Sequence, residues 1–195
     1  MLIAHSRRAR GATMIEVLVA IIIVIIGLLG LAGLQAKAGQ VEVESFQRAQ
    51  AVEILQDMVD RISANRKHSM DYAVGTTWGT DQGEMNCAGK AGAALDLCEW
   101  NNSLLGASES NNGLSVGAMI GARGCIDNVS PTMPRVFQVS VVWQGTVATK
   151  SPGTACGQNL YGTSAGGVEL RRAVVATVVI ACLQNDPISG NCTTP

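Results

Sequence analysis

One acidic side chain near the amino end lies directly beside a long apolar segment. Glu16 stands at the start of an apolar run, Val17–Leu34, in which no side chain is polar, and the next charge is Lys37. As a helix, such a run would rise about 27 Å, close to the thickness of the hydrocarbon core of a bilayer. A carboxylate at the edge of hydrocarbon needs a cationic partner or the headgroup layer, so Glu16 is a candidate for an electrostatic role.

The residues before Glu16 indicate how such a helix would be oriented in a membrane. The first ten residues contain three arginines and no acid, and the positive-inside rule keeps a segment of that kind in the cytoplasm. A secretory signal peptide would place small residues in an A-x-A-like pattern after the apolar run, whereas Leu34–Lys37 reads LQAK. The small residue Gly11 lies before the run instead. An ordinary signal anchor, with Glu16 at headgroup level, is the simpler alternative.

Six cysteines follow the apolar run, on the side that this orientation places outside the cytoplasm. An oxidising compartment favours three disulfides. The sequence does not choose among the pairings, except that Cys87–Cys98 is favoured because it would close a short local loop. A zinc site is disfavoured, because no two cysteines are spaced as CxxC and only His68 accompanies them. The cysteines are Cys87, Cys98, Cys125, Cys156, Cys182 and Cys192.

The other polar residues indicate neither an enzyme nor a nucleic-acid binder. No set of Ser, His and Asp suits nucleophilic catalysis, and the acids Asp71, Asp81 and Glu84 match no calcium-loop signature. Three of the fourteen basic side chains lie in the first eleven residues. The rest of the chain therefore has eleven basic side chains against fifteen acids, a net charge of −4. That balance offers no electrostatic footprint for nucleic acid. We expect no enzyme activity, no cofactor and no bound metal.

The apolar run is the first half of a longer predicted helix. After Lys37, apolar residues recur at steps of three or four, and neither Gly nor Pro occurs between Gln40 and Asn65. This pattern predicts an amphipathic continuation, so that one helix runs from about Thr13 to Asn65. We expect its second half to bury an apolar stripe against a folded domain. The predicted stripe is Phe46, Ala49, Val52, Leu55, Val59 and Ile62, with Met58 beside it.

The rest of the chain predicts a small antiparallel sheet with long loops, and therefore an α+β domain. Arg135–Gln144 alternates in polarity and Val168–Leu183 is rich in β-branched residues, so both are predicted strands. We expect them to pair, with a weaker strand at Gly124–Ile126. The other predicted elements are a short helix at Ala91–Leu105, in which Trp100 is a packing residue, and a loop at Thr146–Gly167.

Two arginines open the last predicted strand. Arg171 and Arg172 precede its apolar residues. Arginine is rarely buried unless it is paired. We therefore expect both side chains to be solvated at the edge of the sheet, or to pair with an acid of the long helix. The candidate acids are Glu53, Asp57 and Asp60.

The segment Arg10–Val17, RGATMIEV, resembles the processing site of type IV pilins and of their relatives, the pseudopilins of type II secretion. Later segments resemble minor pilins of the same superfamily: RISANR, CEW, RGC, VVWQG, ACG and LRRAVVATVVIACL. The resemblance implies a type IV pilin-like fold, with a long amino-terminal helix packed on a small antiparallel sheet whose loops are held by disulfides. Ala12 is a departure, because the superfamily most often has Phe at the first mature position.

The resemblance also implies a processing step and an assembly role. A prepilin peptidase would cut between Gly11 and Ala12 and would methylate the new amine of Ala12. Glu16, with Thr13 beside it, would then neutralise the amine of a neighbouring subunit. A glycine-rich part of the helix would melt locally in a filament, although glycines are also common in membrane helices. These glycines are Gly27, Gly30 and Gly33.

Segments, partners and location follow from the same resemblance. We expect a leader at 1–11, a transmembrane or filament-core segment at 12–36, an amphipathic segment at 37–68 and a periplasmic globular domain at 69–195. The chain would cross the bacterial inner membrane once, with its amino end in the cytoplasm, and would later join a pilus. Its partners would be the prepilin peptidase, other minor pilins and the major pilin, but no nucleic acid. The alternatives are a pseudopilin, a tip adhesin, a DNA-uptake pilin and an anchored domain that never assembles.

Overall fold

The computed structural model describes residues 13–106, 110–111, 114–115, 117, 119–132, 134–162, 168–185 and 192–194. The chain divides into two compact units, residues 1–42 and 43–195. Helix α1, Met14–Ala64, begins in the first unit and ends in the second. Its bounds confirm the prediction of one helix from about Thr13 to Asn65.

The described part of the first unit is the apolar half of α1. Every side chain from Thr13 to Glu42 is exposed. The most apolar window has a mean hydropathy of 3.1, and none of it is buried. Within the described ranges, this is the one helix long and apolar enough to cross a membrane. A surface of this kind needs lipid or other helices around it.

The second unit is an α+β domain, as predicted. The end of α1 is followed by a 3₁₀ helix, Arg66–Tyr72, and by helix α2, Ala93–Leu104. Helix α2 lies within its predicted range. The strands are β1 (Trp78–Gly79), β2 (Ser110–Asn111), β3 (Leu114–Ser115), β4 (Ile120–Ser130), β5 (Arg135–Gln144), β6 (Arg171–Ile180), β7 (Gln184–Asn185) and β8 (Cys192–Thr194).

Four strands form the main sheet, in the order β1-β4-β5-β6, and all neighbours are antiparallel. β5 has its predicted bounds, and its pairing with β6 is unbroken from Arg135–Ile180 to Gln144–Arg171. β4 is longer than the predicted Gly124–Ile126, and its sequence, IGARGCIDNVS, does not alternate. Pairing along β5 supplies the hydrogen bonds that stabilise β4 in spite of its low strand propensity.

One face of the second half of α1 lies in the core, but it is not the whole of the predicted stripe. Leu55, Met58 and Ile62 are buried as expected, whereas the predicted stripe residues Phe46, Ala49 and Val52 are exposed. Each residue of an α-helix is rotated by about 100° from the one before it. A residue nine positions further along, as Leu55 is from Phe46, is therefore rotated by about half a turn. Phe46 and Leu55 therefore lie on opposite sides. The buried residues are Gln47, Gln50, Ala51, Ile54, Leu55, Met58 and Ile62.

Trp100 of α2 joins this face of α1 to the sheet. Its side chain is fully buried, and the indole Nε1 donates a hydrogen bond to the carbonyl oxygen of Ile54 at 3.0 Å. A Cβ at Gly124 of β4 would overlap the Trp100 ring and would lie 2.8 Å from Cδ1 of Leu104. The close approach of α2 to β4 therefore requires glycine at this position.

Candidate functional site

The amino-terminal turn of α1 places Thr13 and Glu16 together. The backbone N–H of Glu16 donates to the carbonyl oxygen of Thr13 at 3.1 Å and approaches Thr13 Oγ1 at 3.4 Å. Thr13 thus caps the helix, and the Glu16 carboxylate lies in the first turn, where the positive end of the helix dipole stabilises it. The cap role of Thr13 is absent from the sequence-based expectations, although the TxxE spacing of a capping box would have indicated it.

The Glu16 side chain is exposed, and within the described part of the chain it makes no ion pair. Gly11 and Ala12, the expected cleavage residues, lie outside the described residues. Glu16 lies at the start of the apolar half of α1, which needs lipid or other helices around it. Entry into either environment desolvates the carboxylate, which then requires a cation beside it.

Three glycines lie within the apolar half of α1, which is helical throughout. A Cβ at Gly27, Gly30 or Gly33 would meet no atom within 4 Å. No packing contact within the described chain therefore requires glycine at these places. Small residues do allow another helix to approach closely. Their implied part in local melting of the helix stays a prediction.

A charged cluster fastens the carboxyl end of α1 to α2. Arg61 Nε donates to both carboxylate oxygens of Asp57 at 3.0 Å. Arg61 Nη1 lies 3.0 Å from Asp96 Oδ1 and 2.7 Å from Glu99 Oε2. Burial acts to lower the pKa of Arg61, but its bonds to the three carboxylates outweigh burial and raise the pKa. One guanidinium group therefore binds three carboxylates from two helices.

Tyr72 extends this cluster to the 3₁₀ helix. Its hydroxyl donates to the Asp96 carboxylate and accepts a hydrogen bond from Asn65 Nδ2 at 3.2 Å. Tyr72 is fully buried. Burial, together with the bond to Asp96, raises the pKa of Tyr72 to about 12. The neutral phenol is therefore the form that joins the three helical elements.

Glu44 of α1 is held by β6 and by the loop after β5. Arg172 Nη2 lies 3.1 Å from Glu44 Oε1. The same oxygen accepts hydrogen bonds from the backbone N–H of Thr146 at 3.2 Å and from its hydroxyl at 2.9 Å. Burial acts to raise the pKa of Glu44, but the bonds from Thr146 and Arg172 outweigh it, so the pKa is lowered.

Arg171 is buried, contrary to the prediction of a solvated side chain. It is 2% exposed, and its guanidinium donates to Cys156 O at 2.7 Å, Pro152 O at 2.9 Å and Ser151 Oγ at 3.1 Å. Burial lowers the pKa of Arg171. The loop over the start of β6 supplies the acceptors that water would otherwise provide. The predicted pairing of these arginines with Glu53, Asp57 or Asp60 is wrong, because Arg172 pairs with Glu44 instead.

Disulfides hold two loops to helix and sheet. Cys87 is bonded to Cys98, the pair that the sequence favours, which joins the segment before α2 to α2 itself. Cys125 is bonded to Cys156, which joins β4 to the loop that Arg171 also holds. Cys182 is disulfide-bonded too, whereas the side chain of Cys192 lies outside the described residues.

The acids considered for a metal are dispersed. Asp81 lies 2.8 Å from Arg123 Nη2, and Asp71 lies 3.5 Å from His68 Nδ1. Among the residues that the structure describes, no three His, Cys, Asp or Glu side chains form a group that could hold a metal ion.

Comparison with known proteins indicates a class. Residues 33–101 match a family model described as Tt1218-like, type IV pilin Tt1218. The matched segment begins in the apolar half of α1 and ends in α2. No curated protein and no solved structure matches the chain. Over this segment the chain is similar to type IV pilins, and its α+β fold with a long amino-terminal helix is consistent with theirs.

Proposed function

We propose that the chain is a minor type IV pilin, a structural subunit that a prepilin peptidase processes and that assembles near the tip of a pilus. The minor pilin that it resembles is type IV pilus modification protein PilV, through its RISANR, CEW and LRRAVVATVVIACL segments. Its work is to leave the membrane and to dock its helix beside the helices of other pilins. With other minor pilins it would prime assembly of the major pilin.

The contrast between the two halves of α1 carries this proposal. The half that contains Met14–Leu34 is apolar and exposed, whereas one face of the half that contains Gln47–Ile62 is buried against its own domain. An ordinary anchor needs only the first property, and a helix of a globular domain needs only the second. A helix with both joins a folded domain to a segment that can exchange lipid for neighbouring helices. The similarity of residues 33–101 to a type IV pilin family supports the same function.

Glu16 would select the position of the subunit in the assembly. Cleavage between Gly11 and Ala12 makes the methylated amine of Ala12 a cation at the amino end. Within an apolar bundle the Glu16 carboxylate needs such an amine from a neighbouring subunit, because a buried charge without its partner costs about 3–5 kcal/mol. The cap from Thr13 keeps this turn helical, which supports a defined position for the carboxylate.

The disulfides support a periplasmic domain before assembly. All six cysteines follow the apolar run, and two complete bridges are seen between described residues. Such bonds persist in oxidising compartments. With the arginine-rich first ten residues in the cytoplasm, the prepilin peptidase would act on the cytoplasmic side, and the domain would meet other pilins in the periplasm.

The mass of the intact chain, purified from the bacterium that makes it, tests the processing step. We expect the loss of residues 1–11, the addition of one methyl group and the mass deficit of three disulfides. A Gly11→Arg variant should keep the full-length mass. An uncut wild-type chain in cells that are making pili would contradict the proposal.

Deletion of the gene tests the assembly role and separates a minor pilin from a pseudopilin. Loss of a minor pilin lowers the number of surface pili and leaves protein secretion unchanged, whereas loss of a pseudopilin does the reverse. A wild-type copy should restore pili, and a Glu16→Gln copy should not. Glu53→Gln is the matched control, because it removes the same charge from an exposed position of the same helix. Full restoration by Glu16→Gln would show that the charge has no role in assembly.

A further inference from the structure

The two edges of the main sheet differ in how much of each is covered. β6 forms one edge, and its ten residues pair with β5 along one side. Within the described ranges, no strand pairs with its other side. At the opposite edge, β1 covers two positions of β4, Gly124 and Arg123. A long uncovered edge presents a row of backbone N–H and C=O groups to which another strand can bond.

The β4 edge carries features that discourage strand addition, and the β6 edge does not. The register of β4 with β5 shifts between Ile120 and Arg123 and again between Asn128 and Ser130, and Asp127 lies between these shifts. Bulges and charged residues are common means of keeping an edge from pairing. From Ala173 to Ile180, β6 has no bulge, no charge and no Pro. Among the described residues, nothing along this stretch of β6 keeps the edge from pairing.

The outer face of β6 is also suited to a neighbouring strand. Val175 is 44% exposed, Val179 is 55% exposed, and Thr177 between them is exposed. On the other face, Val174 and Val178 pack in the core. β-Branched residues at every second position favour cross-strand contacts with a partner of similar pattern.

Two guanidinium groups lie at the carboxyl end of β6, and among the described residues no acid pairs with either of them. Arg66 Nη2 donates to Ala181 O at 2.8 Å, just beyond the strand. Arg135 is the register partner of Ile180, and its Nη1 lies 3.4 Å from Ser69 Oγ. The Nε atoms of both arginines are buried, and within the described chain they have no acceptor and neither side chain makes an ion pair. A carboxylate brought to this end would gain charge-assisted hydrogen bonds.

We propose that the β6 edge accepts a strand from a partner protein. The partner segment is extended, has apolar residues at alternate positions, and carries a carboxylate at the end that meets Arg66 and Arg135. Its backbone continues the sheet beyond β6. A second copy of this chain is not the occupant, because antiparallel pairing of β6 with itself would bring Arg172 and, among the described residues, no free carboxylate to the Arg66 end of the other copy; the acid beside it, Glu44, is already paired with Arg172. This surface is independent of the proposed pilin function.

Hydrogen exchange of the full chain in detergent micelles tests the edge with two synthetic peptides. Each has a core in which Val alternates with Thr. One has Glu residues at both ends and the other has Lys, so that either strand direction brings the charge to Arg66 and Arg135. We expect the Glu peptide to slow exchange of amides in Ala173–Ile180 roughly tenfold. The Lys peptide should have little effect, and the amides of β5, which lie between two strands, serve as the internal reference.

Two variants separate the edge from the fold. Val175→Lys combined with Val179→Lys should abolish the protection, because lysines on an edge strand oppose pairing. Val129→Lys is the matched control, since Val129 is 62% exposed and lies on β4. An Arg66→Gln variant should reduce the difference between the two peptides. Circular dichroism of each variant checks that the domain is folded.

Several results would overturn the proposal. Equal protection by both peptides would show that the two arginines do not contribute to binding. Protection that persists in the double lysine variant would show that the peptide binds elsewhere. Protection that grows with protein concentration in the absence of peptide would make a second copy the occupant. Slow exchange of the unpaired β6 amides in the dilute free chain would show that another segment of the chain covers the edge.

Discussion

The indole nitrogen of Trp100 lies 3.0 Å from the carbonyl oxygen of Ile54, and this hydrogen bond joins α2 to the buried face of α1. The ring of Trp100 fills the space over Gly124 of β4. One side chain thus contacts both a helix and the sheet. In the second unit, Trp100 thus joins α1 to α2 and to the sheet. The ion pairs of Arg61 and Arg172 add contacts to α1 further along the helix, one in each direction from Ile54.

A methyl group at Gly124 should destabilise the domain. The Cβ of Gly124→Ala would overlap the buried Trp100 ring, and overpacking of this kind costs about 1–3 kcal/mol in unfolding free energy. Urea unfolding of the full chain in micelles, followed by tryptophan fluorescence, measures the effect. Gly153→Ala is the control, because a Cβ there meets no atom within 4 Å, and its effect should stay within about 0.5 kcal/mol. Equal values for the two variants would show that the contact is not restrictive.

Both tyrosines should resist ionisation in the folded chain. The pKa of Tyr72 is raised to about 12 by burial and by its bond to Asp96, and burial also raises the pKa of Tyr161. The chain contains two tyrosines, so a near-ultraviolet absorbance titration reports on these groups alone. We expect less ionisation at about pH 10 in the folded chain than in urea, where both tyrosines are about half ionised. Tyr161→Phe isolates Tyr72.

The sign of the stability change follows from the raised pKa of Tyr72. Between about pH 10 and 12 the unfolded tyrosine loses its proton while the folded one keeps it, so stability falls as the pH rises. The wild type should therefore lose more stability over this interval than Tyr72→Phe. If the two curves stay parallel, the phenol of Tyr72 is not the group that is held neutral.

The contact between Arg172 and Glu44 should matter at neutral pH and vanish in acid. Because the pKa of Glu44 lies below its ordinary value, the contact stabilises the chain above the unfolded pKa, and this contribution is lost as the pH falls through the folded pKa. The contribution is under about 1 kcal/mol, since the carboxylate is partly exposed. Urea unfolding of the wild type and Arg172→Gln should differ at about pH 6 and converge below about pH 4.

Arg48→Gln is the control for this measurement. Arg48 is an exposed arginine of α1 that makes no ion pair within the described ranges. Its removal changes the net charge by the same amount and should leave the difference from wild type small at every pH. A difference between wild type and Arg172→Gln that does not depend on pH would assign the effect to packing of the arginine stem.

The cap from Thr13 should control fraying at the amino end of α1. Thr13→Val keeps the shape of the side chain and removes the oxygen that the Glu16 N–H approaches, at a local cost of about 1 kcal/mol. Hydrogen exchange of the full chain in micelles should show faster exchange of the Glu16 and Val17 amides. Thr13→Ser retains the oxygen and should exchange as the wild type does. Faster exchange in Thr13→Ser as well would assign the effect to the lost methyl group.

Features that depend on consecutive residues were predictable from the sequence. The bounds of α1 follow from an apolar run and an uninterrupted amphipathic pattern, and β5 follows from the alternation within Arg135–Gln144. The bridge between Cys87 and Cys98 could be anticipated because it spans eleven positions. β4 was underestimated because IGARGCIDNVS has no periodic pattern of its own, and its strand conformation comes from pairing with β5.

The sequence by itself determined a long amino-terminal helix with an apolar half that needs lipid or neighbouring helices, because length and composition are enough for that conclusion. The tertiary structure decided which side of α1 is buried: Phe46, a predicted stripe residue, is exposed, and its neighbour Gln47 is buried. It also decided that Arg171 is buried and that Arg172 meets Glu44. These outcomes depend on which distant segments pack together, and helix periodicity alone does not contain that information.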